Sequence, residues 1–199
     1  LIKGVMNKFI EVFSPRTGYS RRLQEQFDIT NGFTISSRET KGFNPLVSVN
    51  FKLWRSLSIS GSYTLDKTED QSYSTGNGAL QSHTKTDNRT IAATSKFSFT
   101  APGGMAIPLF GKVKFTSAVD IDLSFRLASS VSETRKSGQG DEFYPSSDKS
   151  DFSVVPTISY SFSRQIRGGI SGRWQDTNDN ITNRNSHVRQ LQIWVEIRF

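Results

Sequence analysis

The residues of this chain that could do metal or acid–base chemistry are few and scattered. Cysteine is absent, so disulfides and thiolate metal sites are excluded. The two histidines, His83 and His187, lie in or beside polar stretches and lack the close spacing that would place two metal ligands together. We expect both to be exposed loop residues, and we predict no metal site.

Two groups of carboxylates could in principle bind calcium. Asp66, Glu69 and Asp70 form one group, and Asp176 and Asp179 form the other. Neither matches the D-x-[DN]-x-[DN]-G loop that supplies calcium with oxygen ligands at the required spacing. We therefore expect both groups to be solvated surface.

A third pair, Asp120 and Asp122, lies on the same side of an alternating segment. Paired carboxylates can do acid–base work. On the polar side of a strand, however, the expected roles are to line a wet surface or to pair with Lys114 or Arg126. No G-x-S-x-G nucleophile motif is present. The sequence thus predicts no catalytic site, no cofactor and no enzyme activity.

Composition narrows the class of protein. The chain has 199 residues, 34% of them hydrophobic, and a formal net charge of +7. Its Lys and Arg residues are dispersed, which argues against a nucleic-acid partner. No run of ~18 apolar residues exists, so a transmembrane helix is excluded. The N-terminus lacks a signal peptide, and we expect the sequence to be part of a longer protein.

The elements that must position these side chains are β-strands, because apolar residues recur at every second position. This alternation predicts one β segment over 1–199, with strands at 46–54, 57–66, 89–100, 112–132, 151–163, 169–176 and 186–199. Residues 1–30 stay open, since Val5–Phe13 suits either a strand or a short helix. At ~3.3 Å per residue the 112–132 strand spans roughly 60 Å and should project beyond a bilayer.

The stretches between these strands alternate in length. Lys67–Asn88, Glu133–Ser150 and Asp176–Asn185 are polar and are predicted to be long loops, whereas short turns are predicted at Arg55, Pro102 and Arg164. Long loops on one side and short turns on the other are typical of outer-membrane β-barrels. Because proline cannot donate to a ladder, Pro156 predicts a bulge or an edge strand.

The final strand has its own signature. Its apolar positions are Leu191, Ile193, Val195, Ile197 and Phe199. A last strand that ends on an aromatic residue resembles the C-terminal assembly signal of bacterial outer-membrane β-barrels, which the barrel-insertion machinery recognises. Aromatic residues near other strand ends, including Trp54 and Trp174, would suit an interfacial girdle. The predicted fold is therefore an all-β, antiparallel transmembrane barrel in the outer membrane.

Several short motifs resemble the C-terminal region of the SprA/Sov family, the outer-membrane translocon of the type IX secretion system. They are Asn44-Pro45-Leu46 before an alternating strand, Ile107-Pro108-Leu109-Phe110-Gly111 before the long strand, and Tyr160-Ser161-Phe162-Ser163 followed by Gly168-Gly169. The resemblance covers residues 14–199. It implies that the chain supplies the C-terminal strands of a much larger barrel.

The resemblance also implies a function. The chain would form pore wall and surface loops of a protein-translocating barrel, in contact with outer-membrane lipid, accessory translocon subunits and secreted cargo. Two alternatives stay open. One is a self-contained small outer-membrane barrel that acts as an adhesin or structural protein. The other is a soluble β-sandwich that binds carbohydrate through Trp54 or Trp174.

Overall fold

The computed structural model describes residues 10–53, 56–107 and 111–198, and these residues form one antiparallel sheet of nine strands. The strands are β1 (Ile10–Arg16), β2 (Tyr19–Phe27), β3 (Thr34–Leu53), β4 (Leu57–Tyr73), β5 (Leu80–Ile107), β6 (Gly111–Lys136), β7 (Tyr144–Ser161), β8 (Ile166–Asp179) and β9 (Arg184–Ile197). The predicted all-β, antiparallel fold is confirmed. Within the described ranges there is no helix long and apolar enough to cross a membrane.

The chain runs as an up-and-down meander in which each strand from β3 to β9 pairs with the next. Both β1 and β2 pair with β3, along its lower and upper parts respectively. They are divided at Gly18, whose N–H donates to the carbonyl of Pro45 while its own carbonyl accepts from Asn44 N–H. Because the ladder is carried across this break, β1 and β2 act as one interrupted strand. The open region 1–30 is thus strand over 10–16 and 19–27; residues 1–9 lie outside the described residues.

The sheet is open at both sides. Among the described residues, nothing pairs with the free side of β9 or with the free side of β1 and β2. Each free side is a row of backbone donors and acceptors that a further strand could satisfy. The meander therefore has two vacant pairing positions, one at each end of the strand order.

Side chains alternate between two faces with different chemistry. Paired positions share a face, and in the middle of the sheet one face is apolar in every strand from β3 to β9. Leu127 on β6, for example, pairs with Ile91 on β5 and Phe152 on β7, whereas the preceding residue, Arg126, pairs with Ala92 and Ser153. We call these the band face and the polar face.

The three predicted long loops are wrong. The region 67–88 continues as β4 to Tyr73 and resumes as β5 at Leu80, and 133–150 and 176–185 are likewise mostly paired strand. These segments show no apolar alternation because both of their faces are polar. Cross-strand hydroxyl and ion pairs, such as Thr84 with Thr134 and Lys67 with Asp87, hold them instead.

Two proline expectations are also wrong. The segment 101–104 does not end β5, which continues to Ile107 through register shifts at Ala101. Pro156 makes neither a bulge nor an edge, because β7 is a central strand and its pairing with β8 keeps the same register above and below Pro156. The hydrogen bond that Pro156 cannot donate is lost only at this site. Gly172 lies opposite on β8 and leaves room for the proline ring, whose Cγ is 3.4 Å from the position that a Cβ on Gly172 would take.

Close packing against glycine fixes the last hairpin. A Cβ on Gly169 would lie 2.5 Å from the Ile158 carbonyl oxygen and 2.8 Å from the indole ring of Trp194. Trp194 thus covers Gly169 on the neighbouring strand, and no side chain fits between the ring and the backbone. A strand glycine that admits such a close approach is a packing requirement rather than a weakness.

We predict that Gly169→Ala destabilises the protein by about 1–3 kcal/mol, the usual cost of forcing an extra methyl into a packed site. Gly103→Ala is the matched control, because nothing lies within 4 Å of the Cβ position there. Urea midpoints of the two variants provide the measurement. Equal midpoints would mean that Trp194 does not pack on Gly169.

Candidate functional surfaces

The most extensive surface of the molecule is a continuous apolar band on the band face. It runs across seven strands and comprises 43–53 on β3, 57–65 on β4, 91–99 on β5, 119–127 on β6, 152–160 on β7, 166–174 on β8 and 191–197 on β9, counting alternate residues. On five strands the band is nine residues long. Its limits follow the register closely. They coincide from β5 to β7, as in Ile91 with Leu127 and Phe99 with Val119, and are offset by two residues between β4 and β5 and between β7 and β8.

This band is not covered by any other layer of the protein. Leu191 is 73% exposed and Ile193 is 74% exposed, and Leu123 at the centre of the sheet is still 44% exposed. Among the described side chains, Val119 is the only buried large hydrophobic residue. A sheet normally buries its apolar face against a second layer. Here that second layer is missing among the described residues, so the band is an interaction surface rather than a core.

A row of aromatic rings marks the lower limit of the band. Phe97 stacks on Phe99, and Phe115 makes edge-on contacts with Phe99 and Tyr160 at centroid distances of 6.5 and 5.5 Å. Phe162 continues the row at 5.1 Å from Tyr160. The row crosses β5, β6 and β7 because cross-strand neighbours on one face lie within ring contact. Of the predicted girdle residues it includes Phe99, Tyr160 and Phe162, while Trp54 and Phe199 lie outside the described residues.

Above the band, the same face becomes charged on every strand from β2 to β6. Lys41 lies within 4.0 Å of both Glu39 and Glu69, and Lys67 pairs with Asp87 at 3.4 Å. Arg21 donates a hydrogen bond to Glu39, and this bond holds the pKa of the Glu39 carboxyl below its usual range. Cations and carboxylates thus interlock immediately beyond Phe43 on β3 and Leu65 on β4.

His83 lies within this charged zone, and the expectation that it is an exposed loop residue is wrong. It is on β5 and only 9% exposed. Phe143, from the turn between β6 and β7, packs edge-on against its ring at 5.2 Å, and Glu69 lies 3.5 Å from its Nε2. Lys85 sits over the other side of the Phe143 ring at 4.3 Å. This cluster could not be predicted from the sequence, because Phe143 is a turn residue outside any alternating pattern.

The polar face is covered with small hydroxyl side chains. Hydroxyl pairs bridge neighbouring strands along the sheet: Thr40 with Thr68, Ser60 with Thr94, Ser72 with Ser82, Thr84 with Thr134 and Thr86 with Ser132. These short side chains alternate with charged ones such as Arg38, Lys96 and Arg126, so the polar face is hydrophilic throughout. Such a face suits a hydrated surface and not a packed interior, which large side chains would fill.

Asp120 is the centre of a hydrogen-bonded network at the lower end of the polar face. Its carboxylate accepts hydrogen bonds from Ser98 at 2.8 Å and from Arg167 at 3.2 Å, and Arg167 also donates to the hydroxyl of Ser159 at 2.8 Å. The expectation that Asp120 pairs with Lys114 or Arg126 on its own strand is wrong. Residues on neighbouring strands lie nearer to Asp120 than residues further along β6. Asp122 likewise pairs across the ladder, with Lys96 at 3.9 Å.

The two carboxylate groups considered for calcium are divided between the faces. Asp66 and Asp70 point to the polar face, and Glu69 points to the band face. Within the described ranges no group of three or more potential ligands could hold a metal ion. The prediction of solvated carboxylates agrees with this arrangement, in which Asp70 accepts from Arg38.

The second group is divided in the same way. Asp176 lies on the band face, where His187 and Arg189 bind its carboxylate at 2.6 and 2.7 Å and lower its pKa. Asp179 lies on the polar face and caps the turn to β9, and the backbone N–H groups of Thr182 and Ile181 lower its pKa. His187 is exposed as expected, but it lies in β9 rather than in a loop.

The predicted assembly strand corresponds to β9. Leu191, Ile193, Val195 and Ile197 share the band face and are between 57% and 74% exposed. Phe199 lies outside the described residues. The strand is present as predicted, and it lies at one free side of the described sheet; its recognition by an insertion machinery stays a prediction.

Comparison with known proteins adds little beyond this geometry. No protein-family model matches the chain, and no curated protein sequence matches it. Two solved structures align with it over most of its length. Neisserial surface protein A (NspA) has 15% identity, covers 95% of this chain and 100% of its own, and gives a TM-score of 0.27. The outer membrane protease OmpT from Escherichia coli has 10% identity, covers 96% and 95%, and gives a TM-score of 0.19.

We predict that Asp120→Ala destabilises the sheet by about 1–2 kcal/mol, because it removes the hydrogen bonds from Ser98 and Arg167, each worth about 0.5–1.5 kcal/mol. Asp122→Ala is the control on the same strand and face. It removes one exposed pair, worth about 0–1 kcal/mol. Urea midpoints should therefore fall clearly for Asp120→Ala and little for Asp122→Ala, and the opposite order would contradict the network.

Proposed function

We propose that this chain forms part of the wall of an outer-membrane β-barrel, with lipid on its band face and water on its polar face. The observation that carries the proposal is the uncovered apolar band of constant height. Nine residues at ~3.3 Å, tilted as barrel strands are, cover a layer about 25 Å thick, which matches the apolar height of outer-membrane barrels. The aromatic row and the charged zone then lie at the two membrane interfaces.

A soluble sandwich fits the same surfaces less well. A second protein layer would have no reason to end at the same level on seven strands, or to be bounded by an aromatic row on one side and charges on the other. The carbohydrate-binding role considered for Trp174 is also disfavoured. Its ring lies on the band face with Cζ3 2.7 Å from the Cβ position of Gly172, so it is packed on its own strand.

The open sides of the sheet bear on the size of the barrel. In lipid every backbone donor and acceptor must be satisfied, so β9 and the β1–β2 strand each require a partner. We propose that these partners are strands of a longer polypeptide, in keeping with the resemblance to the SprA/Sov translocon. The chain would then be a wall segment of a wide pore through which proteins cross the outer membrane.

One observation favours the self-contained small barrel instead. When β1 and β2 are counted as one interrupted strand, eight strands lie side by side, which is a common number for small barrels. The open sheet argues the other way, because among the described residues β9 does not pair with β1 or β2. Detergent extraction of the native protein separates the two proposals. A polypeptide far above 22 kDa supports the wall segment, a detergent-extracted 22 kDa species supports the small barrel, and solubility without detergent contradicts both.

We predict that an arginine placed in the band destabilises the protein in lipid by about 2–4 kcal/mol, as it does near the bilayer midplane in other barrels. Leu123→Arg is the test. Val131→Arg on the same strand and face lies above the band, and Ser124→Arg is the neighbour on the polar face. Both controls should cost about 0.5 kcal/mol or less.

Urea resistance of the membrane-assembled protein gives the measurement for all three variants. If Leu123→Arg is no worse than Val131→Arg, lipid does not cover the band.

For the translocation role, we expect depletion of the full-length protein to leave normally secreted proteins in the periplasm. A matched strain that carries Val131→Arg, which lies above the band and on the face opposite the proposed pore lining, should secrete. Unchanged secretion after complete depletion would reject the translocon proposal while leaving the membrane wall intact.

A further inference from the structure

The positive charge of this chain is concentrated on one face of the sheet. On the polar face, the strands carry the cations Arg16, Arg22, Arg38, Lys52, Lys96, Lys112, Lys114, Arg126, Lys136, Lys149, Arg167, Arg173 and Arg184. The carboxylates of that face are Asp66, Asp70, Asp120, Asp122, Asp151, Asp179 and Glu196. Thirteen cations thus oppose seven carboxylates.

The band face is balanced in comparison. Its strands carry the cations Arg21, Lys41, Lys67, Lys85, Arg89, Arg135 and Arg189 and the carboxylates Glu25, Glu39, Glu69, Asp87, Glu133, Asp148 and Asp176. Seven charges of each sign cancel. Nearly all of the net charge of +7 therefore belongs to the polar face.

The excess on the polar face is not neutralised locally. Arg126 and Arg173 are both exposed, and neither has an ion-pair partner among the residues that the structure describes. The carboxylate closest along the ladder to Arg126 is Asp151, which instead accepts hydrogen bonds at 2.8 Å from Gln175 and Thr177. The residues that pair directly with Arg126 on β5 and β7, and with Arg173 on β9, are uncharged.

The position of these two side chains gives the charge a role. Both lie within the height of the apolar band, on β6 and on β8, with one strand between them. Their ladder neighbours on the polar face are short or uncharged: Ala92 and Ser153 beside Arg126, and Gln190 beside Arg173. Their charge therefore projects into the water along the wall at the depth of the membrane, where low-dielectric surroundings strengthen electrostatic effects.

We propose that the polar face is an anion-attracting wall, so that the pore it lines favours anionic over cationic groups, with Arg126 and Arg173 as its principal determinants. This inference rests on the proposed function, since it takes the polar face to line water within the membrane. It adds to that function a preference of the pore for the charge of the molecules that pass: carboxylate-rich polypeptides or small anions are favoured over basic segments.

Single cysteines test the inference, because this chain contains none. Ser124→Cys lies on the polar face beside Arg126, and Leu123→Cys is the adjacent residue in the band. Each is introduced into the full-length protein in native membranes, with the unsubstituted protein as the blank. The probes are two methanethiosulfonates, one bearing a sulfonate and the other a trimethylammonium group, and their rates are normalised to those with a free thiol.

We expect Ser124→Cys to react faster with the sulfonate reagent. Adding Arg126→Gln or Arg173→Gln should lower the ratio of anionic to cationic rates by about twofold each at physiological salt, and more at low salt, as expected for charges about one Debye length away. The matched control is Arg89→Gln, which removes the same charge from the band face and should leave the ratio unchanged.

The outcomes distinguish the inference from the function beneath it. Equal normalised rates at Ser124→Cys, or a ratio that Arg126→Gln and Arg173→Gln do not change, would overturn the anion preference and leave the membrane wall standing. Reaction at Leu123→Cys but not at Ser124→Cys would show that the polar face is not the wet face, and would overturn both.

Discussion

The backbone ladder is the interaction on which the rest of this structure depends. From β3 to β9 each strand is hydrogen-bonded to its neighbours almost without interruption, and no core lies behind them among the described residues. Register alone therefore decides which side chains meet. A shift of one residue would exchange the faces and move Ile121 and Leu123 into water and Asp120 and Asp122 into the band. The turns and the packing of Trp194 on Gly169 protect that register at the end of the sheet.

One strand passes through three environments, and β6 shows them in order. Its lower part contributes Phe115 to the aromatic row, its middle holds the nine residues from Val119 to Leu127, and its upper part carries Glu133 and Arg135 on the same face. The backbone is the same throughout, so only the residue types change. Neighbouring strands change within two residues of one another, so the boundaries follow the sheet from strand to strand.

The sequence was sufficient for the parts of the fold that have one apolar face. The alternation from Val119 to Leu127 or from Leu191 to Ile197 correctly predicts a strand and which of its residues share a face. It was insufficient where both faces are polar, as in 67–88, because periodicity then vanishes although pairing continues. Side-chain partners were also beyond reach. Asp120 meets Arg167 only through the register of three strands, and His83 is buried only because a turn brings Phe143 over it.

The segments above the band are paired strands rather than loops, and this gives that end of the molecule a regular structure. Long polar loops would be mobile, whereas β4 and β5 continue as a regular ladder to Tyr73 and Leu80 and then close through a turn in which Gly78 adopts a positive φ. Ion pairs on one face and hydroxyl pairs on the other replace the apolar side chains of the band lower down. Each such pair contributes only a few tenths of a kcal/mol to about 1 kcal/mol, yet they repeat on every strand from β3 to β6. The paired strands above the band thus fix the position of the turns at their ends, and any partner that binds there meets a preformed surface.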